Sequence, residues 1–212
     1  MTMHAEHFDS PERQAHAAKL GMWTFLASEV LLFGGLFTLY SAQRLVHPAA
    51  FLEGSRHMEV TIGTINTAIL LTSSFVVALC IPMIKADRRG LTTGLLGLAM
   101  VMGAAFVALK LTEYGDHFKE GIWPGGKGNF FLAHPDRGLR IFFTLYYVMT
   151  GLHAIHVLIG MSVLGWMAVR VWRGTINAEN AYVIEVGALY WHLVDVVWIF
   201  LWPVFYLLRG GS

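Results

Sequence analysis

The sequence predicts an all-α integral membrane protein, a single bundle of five transmembrane helices. Three observations carry this. Of 212 residues, 56% are hydrophobic and only 14% charged, against about 45–50% and about 25% in soluble domains. The apolar residues fall in five blocks, each long enough for a hydrocarbon core about 30 Å thick, which needs roughly 20 residues as helix. No block alternates like a barrel strand, so the helix is the remaining way for a backbone in lipid to satisfy its own hydrogen bonds.

Residues 1–19, "MTMHAEHFDSPERQAHAAK", mix both charge signs and lack the basic start and apolar centre of a signal peptide. They read as a cytoplasmic segment, with the first span as its own insertion signal. That span covers about 20–42 and contains Glu29. The second covers about 62–84, with Asn66, Ser73 and Ser74 inside it. "KADRRG" at 85–90 is a tight turn that makes the second and third spans antiparallel neighbours. The third span, about 91–112, is followed closely by Glu113, three residues after Lys110. Gly90 and Gly94, then Ala99 and Gly103, stand four apart, as do Thr150 and Ala154 on the fourth span; small residues so spaced let backbones approach in lipid. Residues 113–138 hold eight glycines or prolines and read as a loop with little regular structure, packed over a helix end. The fourth span, about 139–171, carries His153 and His156; the fifth, about 184–208, carries Glu185, His192 and Asp195. Residues 20–212 therefore form one domain, without internal repeats.

Orientation rests on Lys and Arg. Arg13, Lys19, Lys85, Arg88, Arg89, Arg170 and Arg173 lie on one side; Arg44, Arg56, Lys119, Lys127, Arg137, Arg140 and Arg209 lie on the other, with Lys110 near its boundary. The totals are almost equal, but the first side holds the denser clusters. It is placed in the cytoplasm, with the C-terminus on the periplasmic or external side. Net charge is +1, which gives nucleic acid no electrostatic foothold. The one cysteine, Cys80, excludes an intrachain disulfide and argues against a thiolate metal cage.

A charged side chain at mid-membrane costs at least about 2.5 kcal/mol on insertion scales, so each needs a partner or a purpose. Glu29 is too deep for its short side chain to reach the headgroups. It is expected either to be protonated or to hydrogen-bond His156 or His153. Two roles stay open, a structural tie between the fourth and first spans and a proton-handling carboxylate; contact with another subunit is a third. Glu185, His192 and Asp195 fall within about 80° of one another on a helix and form one polar stripe. His153, His156 and His192 could in principle ligate a haem, but they sit at different depths and no second histidine pair is present, so no metal is expected. His4, His7, His16, His47, His57, His117 and His134 lie in tails and loops and read as solvated. Trp191, Trp198 and Trp202 share a helical face and are expected to pack against another subunit. No catalytic residue is expected: there is no nucleophile motif, and "GGKG" at 125–128 lacks the strand and helix of a phosphate loop.

Four stretches carry a family likeness: "WTFLASEVLLFGGLF" at 23–37, "NTAILLTSS" at 66–74, "GLHAIHVLIG" at 151–160 and "EVGALYWHLVDVVWIFLWP" at 185–203. With them the chain resembles, from residue 20 to 208, subunit III of the haem–copper respiratory oxidases, in the short bacterial form that lacks the first two of seven helices. The resemblance implies a chain without redox centres of its own, in a multi-pass position in the cell inner membrane. Haem and copper would belong to its partners, the catalytic subunit I and the copper-binding subunit II, with other membrane subunits and bound phospholipid beside them. It implies support of proton uptake and of active-site stability. Carried over residue by residue, Glu29 would be the buried carboxylate and His156 its partner, Glu113 would close the third span, Glu185, His192 and Asp195 would hold the last helix, and Arg173 would contact a lipid phosphate. Two departures stand out: "AENAYVIE" lacks a histidine common in the family, and the loop after Glu113 matches poorly. The alternatives are the corresponding subunit of a quinol oxidase, an accessory protein of nitric oxide reductase, or a small membrane cytochrome or transporter using its own His and Glu residues.

Overall fold

The structure, a computed structural model, describes residues 10–125 and 127–207. Five helices among the described residues are long and apolar enough to cross a membrane. Helix α1 spans Pro11–Val46, α3 Val60–Lys85, α4 Arg89–Lys119, α6 Arg137–Trp172 and α7 Tyr182–Trp202. Two short helices join them, α2 at Pro48–Arg56 and α5 at Phe130–Ala133. A π turn at Pro203–Leu207 prolongs α7.

Several boundaries differ from the sequence expectation. Helix α1 begins nine residues before the expected 20, within the stretch read as a separate segment. The local chemistry explains this. The Ser10 hydroxyl accepts from the Arg13 amide at 3.2 Å, Pro11 holds the first position, and Glu12 sits in the first turn, which suits the positive end of the helix. Residues 1–9 and 208 lie outside the described residues, and so do His4, His7 and Arg209. Helix α2 had no counterpart among the predicted elements, because it is too short to show a membrane-like run. Between α4 and α6 the irregular chain is shorter than expected, since α4 continues to Lys119. The loop nevertheless folds over the helix ends: Ile122 is fully buried, its carbonyl accepts from the Tyr147 hydroxyl at 2.8 Å, and Trp123 stacks on Phe118 at 5.0 Å.

Helix α6 ends in a Schellman motif. The Gly174 amide donates to the Val171 carbonyl and the Thr175 amide to the Arg170 carbonyl, each at 2.9 Å, with Gly174 at φ +72°. An added Cβ would also lie 2.8 Å from the Arg89 guanidinium. Gly174→Ala is therefore expected to destabilise the bundle by about 1 kcal/mol, read as a lower midpoint in SDS-induced unfolding. The next residues close on themselves: Asn177 accepts from the Glu179 amide at 2.9 Å, and Asn180 accepts from the Asn177 amide at 2.7 Å. This mutual cap leads into the stretch "AENAYVIE" at the start of α7.

Helices α3, α4, α6 and α7 pack around one core, and α1 leans on α6 and α7. The outer face of α1 stays open, with Leu20, Trp23, Val30, Leu31 and Leu45 exposed. Trp191 marks the tightest contact. A Cβ on Gly103 of α4 would stand 3.0 Å from its ring, and one on Gly160 of α6 would stand 2.8 Å from it. Of the expected small pairs, Ala99 and Gly103 do mediate close packing, whereas Gly90 and Gly94 meet nothing within 4 Å. The tryptophan expectation is corrected: Trp191 and Trp198 are fully buried. The indole N–H of Trp191 donates to Ser73 and that of Trp198 to Thr67, each at 3.0 Å. An indole in an apolar bundle must place its N–H, and hydroxyls on α3 supply the acceptors.

Candidate functional site

The polar residues form three layers. At the end carrying the N-terminus of α1, Glu185 of α7 bridges Lys19 of α1 at 2.6 Å and Lys85 of α3 at 2.7 Å. All three are partly exposed, so the bridge sits at the bundle rim. The expected stripe on α7 is therefore divided: Glu185 works at the surface, while His192 and Asp195 face inward.

In the middle layer the Nε2 of His156 lies 2.8 Å from the Glu29 carboxyl, joining α6 to α1. The Nδ1 of the same ring lies 2.8 Å from the Leu152 carbonyl. A carbonyl only accepts, so Nδ1 carries a hydrogen. Nε2 then either accepts from a protonated Glu29 or, as imidazolium, donates to the carboxylate. Either way one proton is shared and the pair carries no net charge, which is the low-cost form in lipid. The two side chains keep 12% and 13% exposure, so the pair lies at the edge of the bundle rather than in its core. Nearby, His192 Nδ1 lies 2.6 Å from the Ser74 hydroxyl. Asp195 is 2% exposed, lies beside Ser74, and has neither carboxyl oxygen in hydrogen-bond range of a partner. His153 is fully buried; it stacks on Trp198 at 5.2 Å and meets the edge of Phe106 at 5.5 Å. It does not join Glu29. Asn66, on α3, is buried with no partner in range.

The third layer lies toward the opposite end. Lys110 and Glu113, both 2% exposed, pair at 3.2 Å. The ammonium also donates to the hydroxyls of Tyr146 at 2.8 Å and Tyr206 at 2.5 Å. Both hydroxyls donate in turn to the other Glu113 oxygen at 2.6 Å. All three N–H bonds of Lys110 thus have acceptors, and the four groups close a ring with no net charge. Aromatic faces complete the cage, with the ammonium 4.5 Å from the Tyr146 centroid and 5.5 Å from that of Trp198. Lys110 is therefore not the boundary cation expected from the sequence. His117 is corrected as well: it is 3% exposed, beside the His57 carbonyl at 3.4 Å, because α4 runs two turns further than expected.

Sequence reasoning missed Tyr146 and Tyr206. A signal existed for the first, since Tyr146, Thr150 and His153 stand at i, i+4 and i+7 and so share one helical face. Tyr206 sits on the π turn, outside any regular period. Arg173 is exposed at the end of α6. Among the described residues no three His, Cys, Asp or Glu side chains converge as metal ligands, and both ring nitrogens of His156 are already engaged.

Comparison with known proteins places this geometry. A family profile described as Cytochrome c oxidase subunit III matches residues 4–209. A protein named cytochrome c oxidase subunit 3 from Thermostichus vulcanus is 36% identical over 89% of this chain and 86% of its own length. A haem–copper oxidase subunit I+III from Aeropyrum pernix is 31% identical over 96% of this chain, which corresponds to 24% of that longer protein. A probable quinol oxidase subunit 3 from Staphylococcus haemolyticus is 27% identical over 94% of this chain and 93% of its own length. With a profile matched almost end to end on five spanning helices, the chain belongs to the cytochrome c oxidase subunit III family.

Proposed function

We infer that this chain is the non-catalytic subunit III of a proton-pumping terminal oxidase that reduces dioxygen to water. Electrons travel through haem and copper held by its partners, subunits I and II. Its own acids and bases lock the helices together and hold exchangeable protons beside the catalytic subunit. The Glu29–His156 pair carries this reading, because it shares one proton at the edge of the bundle, where a neighbouring subunit or lipid meets it. The joined I+III protein supports direct contact with subunit I. The N-terminus lies in the cytoplasm and the C-terminus outside an inner membrane, by the density of cations around Lys85, Arg88 and Arg89. Arg173, at the cytoplasmic end of α6, contacts a phospholipid phosphate. A quinol is the second reading for the electron donor, supported by the relative named a quinol oxidase subunit. Co-purification of a copper-binding subunit separates the two.

The test is Glu29→Ala beside Glu29→Gln in the assembled oxidase. Both are expected to assemble, with initial oxygen consumption within about twofold of wild type, the change that about 0.4 kcal/mol of barrier brings. Both are then expected to lose activity faster over many turnovers. The amide of Glu29→Gln keeps a hydrogen bond to His156 but cannot exchange a proton. Equal decay in the two variants assigns the effect to the proton, and decay in Glu29→Ala alone assigns it to the strut. Loss of the first turnovers would count against a supporting role.

A further inference from the structure

We propose that the chain conducts oxidising equivalents, along a ladder of tryptophan and tyrosine rings that runs from the bundle interior to the surface beyond the end of α4. The ladder starts at Trp198, fully buried on α7, whose ring lies 6.4 Å from that of Tyr206. Tyr206 and Tyr146 share one oxygen of Glu113. Tyr146 meets the edge of Tyr147 at 5.2 Å. Tyr147 stacks on Phe118 at 5.9 Å, and Phe118 stacks on Trp123 at 5.0 Å. Trp123 is half exposed and lies in the loop that follows α4. Trp202 stands beside the inner end: a Cβ on Gly63 would lie 2.9 Å from its ring and 2.9 Å from that of Tyr206. Electron exchange falls steeply with distance, so rings in contact exchange fastest. Tryptophan and tyrosine also lose one electron more readily than other rings.

Packing alone is met by phenylalanine, which needs no partner for a buried hydroxyl. The proton chemistry of the run is what marks it. A phenol that loses an electron becomes a strong acid, and it stays oxidised only where a base takes its proton. Glu113 is that base, 2.6 Å from both hydroxyls. Trp198 has only the Thr67 hydroxyl and Tyr147 only the Ile122 carbonyl, and neither takes up a proton. The electron vacancy therefore rests on the Tyr146–Tyr206 pair and crosses the other rings quickly. To reach the pair, an electron passes from a phenol to the oxidised indole of Trp198, and the phenol proton crosses to Glu113. The ring then carries the charge of Lys110 alone, which is costly away from water. That cost drives the vacancy outward. An electron comes from Trp123, the proton returns from Glu113 to the phenol, and the Trp123 indole gives its N–H proton to water. A reductant dissolved in that water, a thiol or an enediol, restores Trp123 with one electron, and water returns the proton. The oxidant at the inner end rests on the oxidase reading. It is a one-electron oxidant straying from the partner's dioxygen-reducing centre, and it is reduced by the electron it takes from Trp202 or Trp198.

The experiment uses the assembled oxidase in membranes, with radicals read by electron paramagnetic resonance on flash-frozen samples and oxidised residues mapped by mass spectrometry. The oxidant is supplied in two ways: by sustained turnover under dioxygen, and by a flash on anthraquinone dissolved in the membrane, whose excited state takes one electron. Wild type is expected to show a tyrosyl radical that decays as a tryptophanyl radical rises, and aqueous ascorbate should abolish the second. Oxidation products should collect on Trp123, 48% exposed, and spare Trp172, 76% exposed at the other end of the bundle. An oxidant diffusing through solvent would take Trp172 at least as readily. Trp123→Phe keeps a ring on Phe118 and blocks the exit. The tyrosyl radical should then outlast that of wild type, and products should move inward to Tyr146 and Tyr206. Tyr146→Phe/Tyr206→Phe should lose both radicals. Trp123→Phe, at the surface, serves where that double variant fails to assemble. Equal oxidation of Trp123 and Trp172, or a tyrosyl lifetime unchanged by Trp123→Phe, would overturn the ladder under either oxidant. A chain that purifies without a haem–copper partner sinks the oxidase reading alone, and the anthraquinone flash then still decides the ladder.

Discussion

Glu113→Leu is expected to cost the bundle about 3–5 kcal/mol, the range for breaking one side of a buried ion pair. The reason lies in what stays behind. Lys110 is sealed from solvent and donates to Glu113, Tyr146 and Tyr206. Without the carboxylate its charge has no counter-ion, and both tyrosine hydroxyls lose the acceptor they share. In lipid the charge has no route to water short of rearranging the bundle. The measurement is the midpoint of SDS-induced unfolding, with the yield of assembled oxidase as a second readout. Lys110→Met alone should cost less, because a protonated Glu113 can still accept from the tyrosines. The double variant Lys110→Met/Glu113→Leu removes both charges, and exchanging a buried pair for apolar residues of similar volume is often close to neutral. It is expected to recover most of the loss. If the double variant were as unstable as Glu113→Leu, the ring would matter through its hydroxyls and not through its charge.

That ring also shows how far the sequence was legible. The spans were readable because a bilayer imposes length and apolarity on each helix separately, and neither depends on a neighbour. Lys110 and Glu113 were visible as a pair, since i and i+3 share a face. Where they pointed was not visible, because Tyr146 and Tyr206 come from 36 and 96 residues away. The stripe of Glu185, His192 and Asp195 was legible as a direction, but direction alone does not separate the rim from the interior. Lys19 and Lys85 draw Glu185 to the rim, and their approach depends on how α1 and α3 end. The tryptophans failed for a related reason. Periodicity put Trp191 and Trp198 on one face, and large aromatics on a face read as an outward contact. The acceptors that turn that face inward, Ser73 and Thr67, are ordinary residues on another helix. Pairing of Glu29 with a histidine was expected from chemistry, but the choice of His156 over His153 is made by packing, which stacks His153 on Trp198.

Gly160→Leu is expected to be the most damaging change outside the charged ring, at about 3 kcal/mol, the upper part of the usual range for overpacking. In a membrane the usual ledger for burying apolar groups changes, because lipid tails are as apolar as leucine and helices gain little by leaving them. Contact and shape then set the energy, and the slot around Trp191 is where shape is most constrained. A Cβ at residue 160 would meet the Trp191 ring at 2.8 Å, and the ring already stands 3.0 Å from the place of a Cβ on Gly103. The ring cannot retreat toward α4, and rotation would break its hydrogen bond to Ser73. Something larger must give, which means separating α6 from α7. Gly165→Leu makes the control: there a Cβ would meet only the flexible end of Met100, at 3.1 Å, and the expected cost is under about 1 kcal/mol. Trp191→Phe should rescue Gly160→Leu in part, by shortening the ring that blocks it, although Ser73 then loses its donor. A loss in Gly165→Leu equal to that in Gly160→Leu, with no rescue by Trp191→Phe, would mean that added bulk anywhere on α6 disturbs the bundle and that the slot has no special part in it.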